Sequence, residues 1–163
     1  QQIEDSIALK GVEHFVSSQP QYSLLYRRIE KKVIPISAAN GISQIVWSPI
    51  AQGVLSGKYL PGAKIPDHTR ASSDSMGGFI KSWLETPVLE AVQKLKPLAQ
   101  EAGCTLTQFA LAWVLREPNV ASAIVGASKP EQLDENAGAS GLKIDPALFA
   151  KAQSIVDGVM PAR

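Results

Sequence analysis

Three short runs rich in β-branched and apolar residues are set between longer stretches of helical period, and that alternation constrains the fold more than any other feature. The runs cover residues 15–19, 42–47 and 120–125. Strands separated by helices favour a parallel sheet with right-handed crossovers, an α/β architecture. Three strand-helix units cannot close an eight-stranded barrel, so the pattern reads as part of one, with unpaired edges on its outer strands.

The helical stretches carry their own punctuation. Ile3, Ile7 and Leu9 sit at helical spacing ahead of Gly11, and a second helix runs from Tyr26 to about Asn40, stopped by Asn40-Gly41. Pro35 should kink that helix or mark its last turn. Thr86-Pro87 opens a third, with Val88, Ala91, Val92, Leu95, Leu98 and Ala102 as its apolar stripe, a bend at Pro97 and a stop at Gly103. Thr105-Leu106-Thr107-Gln108 is a capping box ahead of Phe109, Ala110, Trp113 and Val114, and Arg116-Glu117-Pro118 stops that helix. Ser128-Lys129-Pro130-Glu131 forms a second box. Asp145-Pro146 caps a last helix with Leu148, Ala152, Ile155 and Val156 inward and Gly158 at its end. Residues 49–80 hold five of the twelve glycines and no sustained period, so they read as one long loop, a lid or binding loop.

Composition narrows the function classes. The 163 residues fit a single domain, and 45% apolar with 19% charged residues excludes wholesale disorder. A net charge of +1 supplies no global pull toward nucleic acid or an anionic membrane. Cys104 is the one cysteine, which excludes an intrachain disulfide framework. No apolar run approaches the ~20 residues of a membrane span, and no secretory leader pattern is visible, so a cytoplasmic location is expected. The sequence has no initiator Met and opens within a helical pattern, as though cut inside an element.

Two segments carry the chemistry. In residues 124–136 a buried strand is expected to end at Gly126 and a helix to start just beyond, so free backbone N–H groups and the positive end of the helix dipole converge there. Gln132, Glu135 and Asn136 share one helix face near that point. The same residues also fit an ordinary capped helix. In residues 47–59, Trp47 closes a strand, where a flat indole can stack on an aromatic ligand, while Ser48, the glycines and Lys58 suit a diphosphate. A core indole and a solvated lysine are the plainer alternative. Arg70, beside Asp67, His68 and Thr69, could clamp a second phosphate or stay solvated. His14 and His68 lack partners at metal-ligand spacing, so no metal site is expected. No nucleophile elbow, Walker loop or dinucleotide G-x-G-x-x-G is present.

In order, the residues at 19–25 (Gln-Pro-Gln-Tyr-Ser-Leu-Leu), at 47–59 and at 124–136 resemble the C-terminal half of an aldo-keto reductase. The resemblance is closest to the branch that holds bacterial reductases and voltage-gated potassium channel β-subunits. It implies about the last three βα units, plus C-terminal helices, of a (β/α)₈ TIM barrel, with residues 1–163 as the C-terminal portion of one domain. It also implies NADPH bound in an extended pose and reduction of an aldehyde or ketone as the activity. On this resemblance Gln19 would bond the nicotinamide amide and Trp47 would stack on its ring. Ser48, Pro49, Ile50, Ala51 and Lys58 would follow the pyrophosphate, with Arg70 along the phosphates. Gly126, Ser128, Gln132, Glu135 and Asn136 would hold the adenosine end. Gln132 stands where many relatives carry Arg, which keeps NADH open as the cofactor. The family's catalytic Asp, Tyr, Lys and His lie in its first half, so no residue here is assigned to proton transfer and the isolated segment is expected to be inactive. The implied partners are a carbonyl substrate and the N-terminal half of the barrel. The alternatives are a nucleotide-sensing channel subunit, or a half-barrel that self-associates through its strand edges.

Overall fold

The computed structural model describes residues 2–9, 11, 13–73 and 77–159. Gln1, the side chain of Ile3 and residues 74–76, which fall in the expected first helix and long loop, lie outside the described residues. Strands β1 (Ser17–Ser18), β2 (Ser43–Trp47) and β3 (Val120–Ile124) form one parallel sheet in chain order. The helices are α1 (Gln2–Ile7), α2 (Val33–Ala39), α3 (Gly77–Ile80), α4 (Thr86–Glu101), α5 (Leu106–Leu115), α6 (Pro130–Ala137) and α7 (Pro146–Asp157). The expected alternation is present, and the sheet with its helices is an α/β arrangement of the kind a (β/α)₈ barrel repeats.

Several boundaries differ from expectation for physical reasons. The helix expected over 26–40 is two: a 3₁₀ turn at Arg28–Lys31 and then α2, separated by Lys32 with φ −136° and ψ −51°. Pro35 is the third residue of α2, where an N–H has no acceptor within the helix, so it neither kinks nor ends it. The first helix ends at Ile7, four residues before Gly11. β1 is shorter than 15–19; on its C-terminal side Pro20 cannot donate, its carbonyl instead accepts from Trp47 N at 3.1 Å, and pairing resumes where Gln21 faces Trp47. Glu85, not Thr86, occupies the N-cap position of α4 without a side-chain cap bond, and the helix runs on through exposed Pro97 to Glu101. α5 does have the expected capping box, yet it is buried nearly all round rather than on one face, since it contacts β3, α4 and α6. α7 is capped by Asp145 as expected, its Oδ1 accepting from Ala147 N at 2.8 Å.

Residues 49–80 are not a free loop. They contain 3₁₀ turns at Ala51–Ser56 and Arg70–Ser72 as well as α3, and Val54, Leu55 and Ile80 are buried in the core. Turns this short leave no period to read in the sequence.

The core lies between the sheet and the helices. Gln44 and Val46 of β2 point into it. Buried Gln44 is satisfied across the sheet: it accepts from the Ser18 hydroxyl and donates to Asn119 Oδ1 at 3.0 Å, while Asn119 donates to the Ile42 carbonyl at 2.9 Å. Trp113 of α5 packs against Tyr22, ring centroids 5.2 Å apart, and lies 3.9 Å below the Arg116 guanidinium carbon. The Tyr22 hydroxyl donates to Glu30 Oε1 at 2.7 Å, and burial pushes the phenol well above its ordinary value of 10.0. The phenol is therefore held in its neutral form near pH 7.

Candidate cofactor cleft

Neighbouring parallel strands must release their C-terminal loops side by side. Trp47 of β2 is in register with Ile124 of β3, so the segments 47–59 and 124–136 open onto the same place. Between them lies a cleft of about 640 Å³. The expected strand end is exposed rather than buried: Ile124 is 45% accessible, because β3 is an edge strand with one neighbour.

One wall is the turn after β2. Trp47 remains 40% accessible, with its indole N–H donating to the Gln19 carbonyl at 3.1 Å, which fixes the ring plane at the strand end. Beyond it the backbone takes left-handed φ at Ser48 (55°), Ala51 (47°), Gln52 (60°) and Gly53 (95°). Such strain at non-glycine residues persists only where surrounding contacts hold it, here the buried Val54 and Leu55 behind the turn. The Gln52 amide donates to the Ser48 hydroxyl oxygen, leaving the Ser48 proton free for the cleft. At Gly53 an added Cβ would lie 3.3 Å from the Lys58 ammonium, so a bare backbone lets that ammonium fold over the turn.

The opposite wall is the start of α6, and its cap differs from the expected box. Lys129 is the N-cap, and the Gln132 side-chain carbonyl reaches back to accept from Ser128 N at 2.8 Å. Glu135 is held from behind: its Oε1 accepts from the Thr105 hydroxyl at 2.7 Å, and its backbone carbonyl accepts from Gln108 Nε2 at 3.1 Å. The α5 capping box thus also seats α6. Beside Gly126 an added Cβ would meet no atom within 4 Å, so that side of the chain is open.

Of the thirteen expected site residues, Trp47, Ser48, Pro49, Ile50, Lys58, Arg70, Gly126, Ser128, Gln132, Glu135 and Asn136 line the cleft. Ala51 is fully buried behind the turn, and Gln19 reaches the site through its carbonyl bond to Trp47. Sequence reasoning did not pick out Gln52, Ser56, Thr69 and Thr107, nor His68 as a wall residue. Thr107 sits on the first turn of α5, and nothing local in the sequence ties it to either segment. Among the described residues no ion pair is formed by Lys58 or Arg70, and no group of three potential metal ligands occurs. The wall at 48–70 therefore carries uncompensated positive charge, suited to an anion.

The aldo/keto reductase family model matches residues 1–157. The chain belongs to the aldo/keto reductase family. It is 40% identical over 122 residues to an Arabidopsis thaliana protein named as a voltage-gated potassium channel β subunit, covering 74% of this chain and 37% of that one. A Schizosaccharomyces pombe protein with the same kind of name is 37% identical over 147 residues, covering 87% of this chain and 42% of that one. The L-glyceraldehyde 3-phosphate reductase of Escherichia coli K12 is 35% identical over 119 residues, covering 72% and 34%. The chain therefore spans less than half the length of these family members. A glycerol dehydrogenase structure from Gluconobacter oxydans superposes with a TM-score of 0.71 at 24% identity, over 90% of this chain and 44% of that one. That likeness bears on the fold alone: the chain has the aldo/keto reductase barrel architecture in part. No helix among the described residues is long and apolar enough to cross a membrane.

Proposed function

We propose that residues 1–163 are the C-terminal portion of a single aldo-keto reductase barrel and that the cleft is its NADPH site, within an oxidoreductase that reduces aldehyde or ketone carbonyls. The observation that carries this is the joining of an accessible Trp47 at one strand end, of Lys58 and Arg70, which have no ion-pair partner among the described residues, on one wall, and of the α6 start on the other, all in one cleft. The donor chemistry fits the cofactor: a flat indole for the nicotinamide, cations and the Ser48 hydroxyl for the phosphates, and polar side chains of α6 for the adenosine end. When bound, NADPH supplies the hydride.

The chain's residues bind and orient. Trp47, held through the Gln19 carbonyl, would set the plane of the nicotinamide. Lys58 and Arg70 would neutralise the diphosphate. Gln132, its carbonyl committed to Ser128, retains its NH₂ to donate at the adenosine end. No side chain of the cleft is assigned to proton transfer, so the proton donor belongs to the rest of the barrel and the 163 residues alone reduce nothing. Calorimetric titration with NADPH, and with NADH beside it, tests the cofactor reading. Saturable binding that weakens at least tenfold in Arg70→Ala supports it, and equal, weak responses from both variants and both nucleotides oppose it. Aldehyde-dependent NADPH oxidation by the isolated chain would refute its inactivity.

The names of the plant and fission-yeast relatives favour a second reading, a nucleotide-binding regulatory subunit of a channel. Co-purification with a membrane channel under native conditions would favour it over the enzyme.

A further inference from the structure

We infer that the connection between β2 and α4 carries a second small-molecule site, which takes a planar, largely apolar molecule of one or two rings and shares a single hydrogen bond with it through the Tyr59 hydroxyl. The site is a cavity of about 230 Å³ between residues 59–66 and the first turn of α4. Among the described residues its lining shares none with the cofactor cleft, so it does not depend on the dinucleotide reading. Tyr59 and Leu89 are buried members of the lining, while Leu60 (50%) and Ile65 (40%) remain open to solvent. Large apolar side chains left exposed around a hollow gain by being covered.

The chain around the cavity is fastened at several points. Gln93 of α4 donates to the Tyr59 carbonyl at 3.0 Å and to that of Gly57 at 3.3 Å, which ties this segment to the helix. Ala63 N donates to the Leu60 carbonyl at 3.3 Å, closing a turn with Gly62 at φ 69°. The Pro66 carbonyl accepts from the Thr69 hydroxyl at 2.9 Å.

The polar groups present select the ligand. Tyr59 is 2% accessible, and its hydroxyl is buried with no hydrogen-bond partner among the described residues. Such a hydroxyl costs free energy that a ligand atom can recover. Lys64 is the one charged member of the lining among the described residues, and its ammonium pairs with Asp67 at 3.7 Å. These surroundings suit a neutral molecule with one hydrogen-bonding group, because further polar atoms would be buried without partners. Size agrees, since a dry cavity of about 150 Å³ takes benzene and this one has room for a second fused ring. The position also argues against the rest of a barrel as occupant. Further strands would add at the free edges of β1 and β3, whereas every described lining residue follows β2, the middle strand.

The probes are 2-naphthol, which has two rings and one hydroxyl, and naphthalene, which has the rings alone. Their binding to the full chain is followed by amide chemical-shift titration of the wild type, Tyr59→Phe and Ile65→Ser. In the wild type, saturable shifts should gather at residues 59–65, 84 and 89. There 2-naphthol should bind about three- to tenfold tighter than naphthalene, the scale of one hydrogen bond. Tyr59→Phe should fold as the wild type does, since it removes an unpartnered group, and should bring the two probes to equal affinity. Ile65→Ser, at an accessible side chain, should weaken both probes by a similar factor. Shifts confined to the cofactor cleft, or no saturable shifts with either probe, overturn the inference. A preference for 2-naphthol that survives in Tyr59→Phe, or undiminished binding in Ile65→Ser, overturns it likewise.

Discussion

The two sides of the sheet differ more than any other pair of regions in the molecule. Toward the helices, Gln44 and Val46 are buried against a core that holds Tyr22, Phe109 and Trp113, every one of them closed to solvent. At its C-terminal end the same sheet leaves Trp47 (40%) and Ile124 (45%) open, and just ahead of β1 Val16 is exposed. β2 alternates between buried and accessible positions along its length. The contrast separates two tasks: helix packing holds the fold, and the open strand ends hold the cleft. It also follows that a change on one side should leave the other side's property largely alone.

The largest effect should come from the helical side. Trp113→Ala should cost about 3–5 kcal/mol of stability by urea unfolding, because a fully buried ring is replaced by a cavity beneath Arg116. A loss below ~1 kcal/mol would mean that this side does not carry the fold. On the open side, Trp47→Ala should change stability by less than ~1.5 kcal/mol and weaken NADPH at least tenfold, about 1.4 kcal/mol. Unfolding with intact binding would erase the separation of the two sides.

Smaller effects sharpen it. Thr105→Ala removes both the α5 cap and the hydroxyl that holds Glu135, so about 1 kcal/mol of stability should go, with a modest loss of affinity measurable in the same titration. Loss of stability with unchanged affinity would show that the cleft does not depend on this link. Tyr22→Phe gives up the bond to Glu30, about 1 kcal/mol. Its pH dependence has a definite sign. The folded phenol ionises above the ordinary value of 10.0, so its contribution is complete below that value and is lost as pH rises through the folded one. Wild-type stability should thus fall on that alkaline limb, and Tyr22→Phe should lack the part due to this phenol. Identical alkaline limbs in the two proteins would exclude Tyr22 as a source.

Much of the fold was legible because its signals are local. The Thr105 and Asp145 caps and the stop at Asn40-Gly41 depend on residues within a turn of one another, and each is where the pattern predicted it. Pro35 misled because a proline signals a break only when its position in the helix is known, and the helix began later than its apolar pattern. Ser128 misled likewise: the side chain that satisfies this helix start is Gln132, bonding to Ser128 N. The long loop failed as a description because the turn that buries Leu55 packs on α4 and α5, which no local window contains.

The sequence by itself determined the order of strands and helices, most helix ends, and the residue types of the cleft, since periodicity, capping and side-chain chemistry act over a few residues. Only the tertiary structure decided which of those residues face one another. The register of Trp47 with Ile124 brought the two segments to one cleft, and the fastening of residues 66–72 placed His68 beside Arg70 on its wall. Parallel pairing and packing join residues far apart in the chain, and such contacts leave no mark in any local stretch of sequence.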